Sequence, residues 1–444
     1  MKTLLSTVLI LLGISLVVSS GNSLYAQIAP EVQPSALTQT STRPPVPTRF
    51  FGMSTHIVQD WPALAIYDVR LWDTGTNWAD VNPADGVYDW TTLDKWLAAA
   101  QQHGGSHLIY TLGMTPQWAS SNPNDVTCKF SPGACDPPDD LNADGSGTDA
   151  HWKKFVTAVA KHSAGQIKLW EIWNEPVNLF YWTGTFAQMV RMAQDARTII
   201  LSIDPTSRMM TPPNGANRAF AEKWWEGYAA LGGLQYADVI AMHGYVNLPP
   251  HVCGNYPKAS DFVTAVTNLR AILAQYGAAT KPIYDTESSW GHAEELCFTD
   301  PDLQAAFLAQ FYMFHRSEGV RRLYWYAYDD GRTGQLYDPN TRKMNTAAVA
   351  YQQVYSWMMG NVMTQSCASA GNIWTCGFSG NNGYLSEVIW DTDETCSQGV
   401  CQTTNYPVSS TFTQYRMLDG TTSLIKNHEV PIGAKPILLE NHSE

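Results

Sequence analysis

The sequence predicts an α/β protein, a (β/α)8 TIM barrel followed by a small C-terminal β-sandwich module. From about residue 50, short runs rich in β-branched and aromatic residues alternate with segments of helical period, which indicates a parallel sheet with helices between its strands. There are eight such runs, the number that closes a barrel. Beyond residue 360 the helical period gives way to short alternating runs with Gly-Asn and Asp-Gly turns, typical of a β module.

The N-terminus has the features of a secretory signal, predicted over residues 1–26. Lys2 precedes an apolar core from Leu4 to Val18, and small residues follow up to a possible cleavage point at Ala26. The apolar core is about 15 residues long, shorter than the ~20 that a spanning helix needs, so we expect cleavage and not anchoring. We therefore expect a secreted or periplasmic protein with no membrane segment after cleavage.

Three further segments follow the signal. Residues 27–48, rich in Pro, Ser, Thr and Gln without periodicity, are predicted to be a flexible linker. The predicted catalytic barrel occupies residues 49–359 and the predicted β module residues 360–444. A formal net charge of −13 argues against a nucleic-acid partner. The 17 tryptophans are numerous enough to serve sugar stacking as well as the core.

The individual elements follow from these periods and from Gly, Pro and cap residues at their ends. The predicted barrel strands are Phe51–His56, Asp68–Asp73, His107–Gly113, Ile167–Glu175, Arg208–Pro212, Val239–Tyr245, Pro282–Glu287 and Arg322–Tyr328. The predicted helices are Trp90–His103, Ala150–His162, Phe186–Ile203, Ala219–Leu231, Asp261–Tyr276, Leu303–Ser317 and Thr346–Met359. The module strands are predicted at Ile373–Phe378, Tyr384–Trp390, Phe412–Leu418, Thr422–Ile425 and Lys435–Leu439.

Eight cysteines in an exported chain predict four disulfides. Proximity in the sequence favours the pairs Cys128–Cys135, Cys367–Cys376 and Cys396–Cys401, which leaves Cys253 with Cys297. No metal is predicted, because no Cys/His cluster has zinc-ligand spacing and the acidic insertion between Asn122 and Asp149 lacks EF-hand spacing. No cofactor is predicted either, since no Gly-rich phosphate loop follows a strand in the required context.

Two predicted strands end in a glutamate: Glu175, in the segment IWNEP, and Glu287, in the segment KPIYDTE. A carboxylate at the end of a hydrophobic strand is costly unless something uses it. The C-terminal ends of barrel strands lie on one face, where TIM-barrel active sites are found. Hydrolysis of a glycosidic bond needs two such carboxyl groups, one as acid and the other as nucleophile or base.

In these motifs the sequence resembles the clan A glycoside hydrolases, family 39 or family 5 in particular, which are retaining enzymes on (β/α)8 barrels. The segment WADVNPADGVYDWTTLDKWLAAAQQHG at 78–104 resembles the clan's loop and helix after the second strand. The segment LGMTPQWA at 112–119 looks like its third-strand end, and the C-terminal segments resemble the β-sandwich of some members. The resemblance spans roughly residues 50–330 of the barrel.

The resemblance implies roles for individual residues. Glu175 would be the acid/base, with a pKa raised by burial and nearby negative charge, and Glu287 the nucleophile that forms a covalent glycosyl-enzyme. Asn174 would bind the sugar 2-hydroxyl. His243 and Tyr245 would end the sixth strand, where Tyr245 could donate to Glu287 and His243 could contact substrate or Glu175.

Three aromatic or histidine side chains and one arginine complete the predicted site. Arg70 on the second strand would brace the nucleophile, because a buried arginine without carboxylate partners is very costly. Trp325 would be the aromatic platform beneath the sugar, with a register uncertain by one or two among neighbouring tyrosines. Trp118 and His56 are further candidates for substrate contact, and ordinary packing explains both equally well.

The predicted function is hydrolysis of β-linked oligo- or polysaccharides with retention and without cofactor. Transglycosylation at the same residues is one alternative. A non-catalytic carbohydrate-binding barrel is another, which the presence of both carboxylates disfavours. The sugar, the linkage and endo or exo action depend on loops and stay open.

Overall fold

The computed structural model describes residues 43–104, 107–163, 165–246 and 256–442. The predicted signal peptide and most of the predicted linker lie outside these ranges. Residues 43–48 differ from the linker prediction because they are folded onto the barrel. Val46 is buried, and its amide donates to the carbonyl oxygen of Asn361 (2.9 Å). Arg43 Nη1 donates to the carbonyl oxygen of Arg316 (2.9 Å).

Eight parallel strands form the predicted barrel, in the spatial order β5-β4-β3-β2-β1-β8-β7-β6. A parallel bridge between Met210 and Val239 joins β5 to the segment before β6 and completes the circle. The strands are β1 Phe51–Ser54, β2 Asp68–Leu71, β3 His107–Leu112, β4 Ile167–Ile172, β5 Arg208–Met210, β6 Ile240–Met242, β7 Ile283–Ser288 and β8 Arg322–Trp325.

Helices cover the outside of the barrel, as predicted, and begin at recognisable caps. Thr185 and Gln188 form a reciprocal capping box at one helix, and Asp300 caps another whose first residue is Pro301. The helices are α1 Trp78–Val81, α2 Thr91–Gln102, α3 Ala150–His162, α4 Phe186–Ile203, α5 Ala219–Ala230, α6 Asp261–Gln275, α7 Pro301–Ser317 and α8 Thr346–Met358. Short 3-10 turns occur at Thr48–Phe50, Val58–Asp60, Gln117–Ala119, Gly233–Tyr236 and Asn381–Gly383.

The side chains inside the barrel form a separate cluster from those between strands and helices. Ile109, Leu169, Met210, Val239, Ala241, Tyr284 and Tyr324 make up this buried apolar layer. Tyr324 Oη donates to Asp68 Oδ2 (2.8 Å), and Arg322 pairs with the same carboxylate. Successive residues of a strand point to opposite faces. Trp325, next to Tyr324, accordingly faces α7 and not the barrel interior.

The C-terminal module is an antiparallel β structure packed on the barrel. One six-stranded sheet has the order β11-β12-β13-β20-β17-β18, and two-stranded ribbons β14-β15 and β16-β19 accompany it, whereas the ribbon β9-β10 lies before α8 and outside the module. Stacked Trp374 and Trp390 pack edge-on against Phe314 of α7. The strands are β9 Tyr337–Asp338, β10 Lys343–Met344, β11 Val362–Ala370, β12 Ile373–Ser379, β13 Leu385–Asp391, β14 Cys396–Ser397, β15 Val400–Cys401, β16 Thr404–Pro407, β17 Gln414–Arg416, β18 Thr422–Leu424, β19 Glu429–Ile432 and β20 Ile437–Glu440.

Three of the predicted disulfides are confirmed, namely Cys128–Cys135, Cys367–Cys376 and Cys396–Cys401. Cys297 is also disulfide-bonded, and its predicted partner Cys253 lies outside the described residues. Among the helices of the described ranges, none has the length and apolar character needed to cross a membrane.

Candidate active site

Arg70, near the C-terminal end of β2, connects the polar side chains at the mouth of the barrel. It is fully buried, and its guanidinium donates from Nε to Glu171 Oε2, from Nη1 to Glu287 Oε2 and from Nη2 to Asn174 Oδ1, each at 2.7 Å. Thr111 Oγ1 also donates to Glu171 Oε2 (2.9 Å). Burial alone would lower the pKa of Arg70, but Glu171 and Glu287 raise it above its ordinary value. Arg70 therefore stays charged and fixes Glu287 and Asn174 at once.

Glu175 follows β4, where the backbone leaves the strand. Trp173 and Glu175 adopt left-handed backbone conformations, with φ of +60° and +40°. Such conformations cost roughly 1–3 kcal/mol each for non-glycine residues and are concentrated at functional sites. Asn178 Nδ2 donates to Glu175 Oε2 (2.9 Å), and the amide of Asn178 donates to the Glu175 carbonyl oxygen (2.9 Å). The turn after β4 thereby holds the Glu175 carboxyl in place.

The two predicted catalytic carboxyls are close neighbours, with His243 between them. His243 Nδ1 lies 2.8 Å from Glu175 Oε1, and His243 Nε2 lies 3.9 Å from Glu287 Oε2. One carboxylate oxygen of Glu175 and one of Glu287 are within 4.8 Å of each other. In inverting glycosidases the two catalytic carboxyl groups are ~6.5–9.5 Å apart, with a water between them. In retaining enzymes the two groups are ~5–5.5 Å apart.

The other oxygen of Glu287 is held by a tyrosine. Tyr245 Oη donates to Glu287 Oε1 (3.0 Å), as the sequence predicted. Burial and the charge of Glu287 raise the pKa of Tyr245 well above its ordinary value, so this phenol remains a donor. The Gly244 amide donates to Asp285 Oδ1 (3.1 Å), and a Cβ at this glycine would lie 2.2 Å from Asp285 Oδ2. Glycine is needed there because the side chains of Asp285 and Phe262 fill the space that a Cβ would take.

The pKa values of the three central groups shift in directions that depend on their contacts. Burial opposes ionisation of Glu175, but the bond and charge of His243 outweigh it, and the pKa of Glu175 is lowered. Burial raises the pKa of Glu287 against the charges of His243 and Arg70. Burial alone would lower the pKa of His243, but Glu287 and Glu175 raise it. The raised pKa predicted for Glu175 is thus not found in the free protein, because His243 donates to it.

Trp325 does not occupy the predicted platform position. Its side chain has no exposed surface, it packs against Trp290 and Tyr312, and its Nε1 donates to the carbonyl oxygen of Gly334 (2.6 Å). The prediction that Trp325 is the aromatic platform is therefore wrong, and the next residue, Tyr326, is the aromatic side chain nearer to the site. By strand alternation Tyr326 lies on the side of the barrel mouth, half-buried, where its Oη donates to Asp73 Oδ2 (2.6 Å).

His56 and Trp118, the two remaining candidates, differ in the residues that they contact. The His56 ring is partly exposed and meets Tyr326 edge-on at 5.4 Å, and the His56 amide donates to Asp329 (2.9 Å). His56 is therefore beside the site. Trp118 belongs to the segment after β3, where its Nε1 donates to the carbonyl oxygen of Asn82 (2.8 Å), and the contacts described for it connect it to neither glutamate.

Sequence reasoning missed several residues of this site. Asp73, Asn178 and Tyr181 are at the strand ends or in the loops around the two glutamates, and Glu171 shares Arg70 with Glu287. Tyr181 packs against Trp72, and burial together with the charges of Glu175 and Glu287 raises its pKa. The position of Asp73 at the end of a strand was a usable signal, whereas the two loop residues carried none.

Comparisons with known proteins identify the fold. No protein-family model matches the sequence, and no curated protein matches it. Solved structures do match. A family 39 glycoside hydrolase from Bacteroides cellulosilyticus WH2 is 16% identical, with a TM-score of 0.63 over 88% of this chain and 80% of that chain. A family 39 β-xylosidase from Caulobacter crescentus is 15% identical, with a TM-score of 0.62 over 91% and 98% of the two chains.

A glucosidase from Croceicoccus marinus is similar at 14% identity, with a TM-score of 0.58 over 89% of this chain and 96% of that chain. The likeness extends over the barrel and the module, since it covers about nine-tenths of the chain in each case. This protein therefore has the TIM barrel and β-sandwich architecture of family 39 structures, as the sequence predicted.

Proposed function

We propose that the protein is a retaining glycoside hydrolase that cleaves β-linked glycans, with Glu287 as nucleophile and Glu175 as acid/base. The observation that carries the proposal is the separation of their carboxylate oxygens, within 4.8 Å, at the C-terminal face of a TIM barrel. A separation of this size favours retention, since inverting enzymes hold their two carboxyl groups ~6.5–9.5 Å apart. The resemblance of the motifs and the shared fold of family 39 structures support the same reading.

In the first step Glu287 attacks the anomeric carbon, and Glu175 gives a proton to the leaving oxygen. Arg70 and Tyr245 hold the two oxygens of Glu287, so that the attacking carboxylate enters the reaction already oriented. Asn174, fixed by Arg70, would bind the sugar hydroxyl next to the anomeric carbon. In the second step Glu175 takes a proton from water, which attacks the glycosyl-enzyme and releases the sugar with its original configuration.

His243 supplies the proton that Glu175 needs. Glu287 and Glu175 raise its pKa, which favours the imidazolium form, and its Nδ1 lies 2.8 Å from Glu175 Oε1. A proton that moves along this bond leaves Glu175 protonated beside a neutral imidazole. The charge of His243 near Glu287, at 3.9 Å, is removed in the same step, which makes the nucleophile more basic at the moment of attack.

The pH profile of kcat/KM is expected to be bell-shaped. The acid limb should lie above 4.5, because protonation of Glu287, whose pKa is raised, removes the nucleophile. The alkaline limb should lie above 6.5, because rising pH deprotonates His243. In His243→Gln we expect the alkaline limb at lower pH, since a carboxyl group alone then holds the proton. An unchanged alkaline limb in this variant would contradict the role of His243.

Glu175→Gln tests the acid/base role through the leaving group. We expect kcat/KM to fall by about 10²–10⁴-fold on an alkyl β-glycoside, where general acid catalysis is needed, and much less on a 2,4-dinitrophenyl β-glycoside. Rates are measured for both substrates with wild type and variant. An equal loss on both substrates would assign Glu175 a role in structure or binding instead.

The function itself is tested with aryl β-glucosides, xylosides, mannosides and cellobiosides, followed by β-linked polysaccharides. Proton NMR of the first product should detect the β-anomer before mutarotation if configuration is retained. An α-anomer would refute the proposed mechanism, and no release from any substrate would refute hydrolysis. Formation of longer glycosides without free sugar would favour the transglycosylase alternative.

Export of the protein is part of the proposal. The N-terminal signal features and the predicted cleavage near residue 26 support it, as do three disulfides within the described residues. An oxidising compartment, extracellular or periplasmic, is where such disulfides form and persist. N-terminal sequencing of protein recovered from the medium or periplasm would test the cleavage.

A further inference from the structure

We propose that a groove beside the proposed active site, walled by Trp118 and Phe130, binds additional sugar units, so that the substrate is an extended β-linked oligosaccharide. The inference rests on the proposed function and specifies its substrate class. Two adjoining cavities form the groove. One has a volume of about 570 Å³ and includes Gln117 and Trp118, and the other has about 270 Å³ and includes Asp73 and Phe130.

The two cavities are neighbours, since Ala79 and Ser131 line both. Neither cavity is lined by Glu175 or Glu287, but the lining of the smaller one includes Asp73. Asp73 accepts the hydrogen bond of Tyr326, and its charge acts on Glu287. The groove therefore lies beside the catalytic centre, with Asp73 between them. The larger cavity alone is in the range of ~300–1,000 Å³ that ligand sites occupy.

Trp118 is a rigid aromatic wall at the far end of the groove. Its indole Nε1 donates to the carbonyl oxygen of Asn82 (2.8 Å), and its ring meets His151 edge-on at 5.1 Å. Because both contacts fix the indole, little side-chain entropy is lost when a ligand covers its free face. Gln117 beside it is exposed, and its Nε2 donates to the carbonyl oxygen of Pro123 (2.7 Å), so its side-chain oxygen, which faces no bonded donor among the described residues, can accept from a hydroxyl group.

Phe130 lies at the near end, on the loop that the Cys128–Cys135 disulfide closes. Its side chain is 50% exposed although it is aromatic, and its backbone has φ of +72°, an unfavourable conformation for a non-glycine residue. The ring meets Trp72 edge-on at 5.5 Å and is stacked with Tyr181 at 6.3 Å, and the Lys129 amide donates to the carbonyl oxygen of Phe180 (2.8 Å). An unfavourable backbone conformation and a disulfide-closed loop therefore hold an aromatic surface at the groove.

An aromatic side chain at each end with polar groups between them matches the amphipathic surface of a pyranose chain, which has apolar ring faces and hydroxyl edges. Binding energy from sugars remote from the cleaved bond can be used to lower the barrier at the reacting centre. The proposal therefore concerns rate as well as affinity. Longer oligosaccharides should be better substrates than short ones.

The test measures kcat/KM for β-linked oligosaccharides of two to six units, made of the sugar that the wild type releases in the aryl-glycoside panel or from polysaccharide. We expect kcat/KM to rise at least tenfold from the disaccharide to the tetrasaccharide. Phe130→Ala and Ala79→Trp should reduce this ratio to about two or less. The second variant narrows the junction of the two cavities without removing a contact.

Phe220→Ala is the matched control, because Phe220 is equally exposed at 52% but lies on α5, outside both cavities. It should keep the wild-type ratio, and thermal melting establishes that each variant is folded. A flat dependence on chain length in an active wild type overturns the groove proposal alone. A wild-type ratio in folded Ala79→Trp overturns it as well. Absence of hydrolysis from every substrate instead refutes the proposed function.

Discussion

Glu287→Gln is expected to lower kcat by about 10⁴-fold or more, the magnitude typical of the removal of a catalytic nucleophile. The amide cannot attack the anomeric carbon, so no glycosyl-enzyme forms. The measurement is steady-state hydrolysis of the best aryl β-glycoside, with intact-protein mass spectrometry after reaction with a 2-fluoro glycosyl fluoride. The wild type should gain the mass of one fluorosugar, and the variant should not.

The substitution changes a charge and little of the shape. Arg70 can still donate to the carbonyl oxygen of the new amide, and the Tyr245 hydroxyl can accept from its NH2 group, so the folded structure should persist and substrate should still bind. Glu171→Gln is the matched control, because Glu171 shares Arg70 but its carboxylate is fully buried below the site. Glu171→Gln should keep the labelling. Near wild-type activity in Glu287→Gln would exclude Glu287 as the nucleophile.

Arg70→Met is expected to destabilise the protein by about 3–5 kcal/mol and to abolish turnover, because it leaves Glu171 and Glu287 buried without their cation. The free energy of unfolding is measured by urea denaturation, and activity on the aryl β-glycoside in parallel. The loss of unfolding free energy should be largest near neutral pH. At low pH, where the Glu287 carboxyl with its raised pKa is protonated, the variant should recover part of its relative stability.

Two further variants separate charge from packing. Arg70→Lys retains a charge but cannot reach three acceptors as the planar guanidinium does, so we expect an intermediate loss. In a Glu171→Gln/Glu287→Gln background, Arg70→Met should cost clearly less than in the wild type, because no unpaired carboxylate remains buried. A cost of 1 kcal/mol or less for Arg70→Met in the wild type would show that Arg70 is not essential to this cluster.

Prediction from the sequence was most successful for the strands and helices, which have a regular hydrophobic period. The eight strands and seven of the helices follow from hydrophobic patterns that burial imposes, although seven of the eight strands end one to three residues earlier than predicted and β7 ends one residue later. The early ends have a functional reason. Glu175, His243 and Tyr245 all lie beyond the last ladder residue of their strands, because side chains that must converge over the barrel mouth need irregular backbone.

Trp325 and Tyr326 show where pattern reading failed. Tyr324, Trp325 and Tyr326 are consecutive aromatic residues, so the pattern at β8 allows either register. A shift of one residue exchanges the interior and exterior faces of a strand. Burial of Trp325 against α7 and the bond from Tyr326 to Asp73 decided the register. Both contacts join segments far apart in the sequence, so no local pattern contained them.

The sequence by itself determined the barrel, the module, three of the disulfides and the two strand-end glutamates, because periodicity, cysteine spacing and strand-end position are local properties of the chain. Only the tertiary structure decided that Arg70 joins Glu171, Asn174 and Glu287, that His243 lowers the pKa of Glu175, and that Asp73 and Trp118 line two neighbouring cavities. Distances and pKa shifts depend on which strand ends become neighbours when the barrel closes, and on how much water that closure excludes.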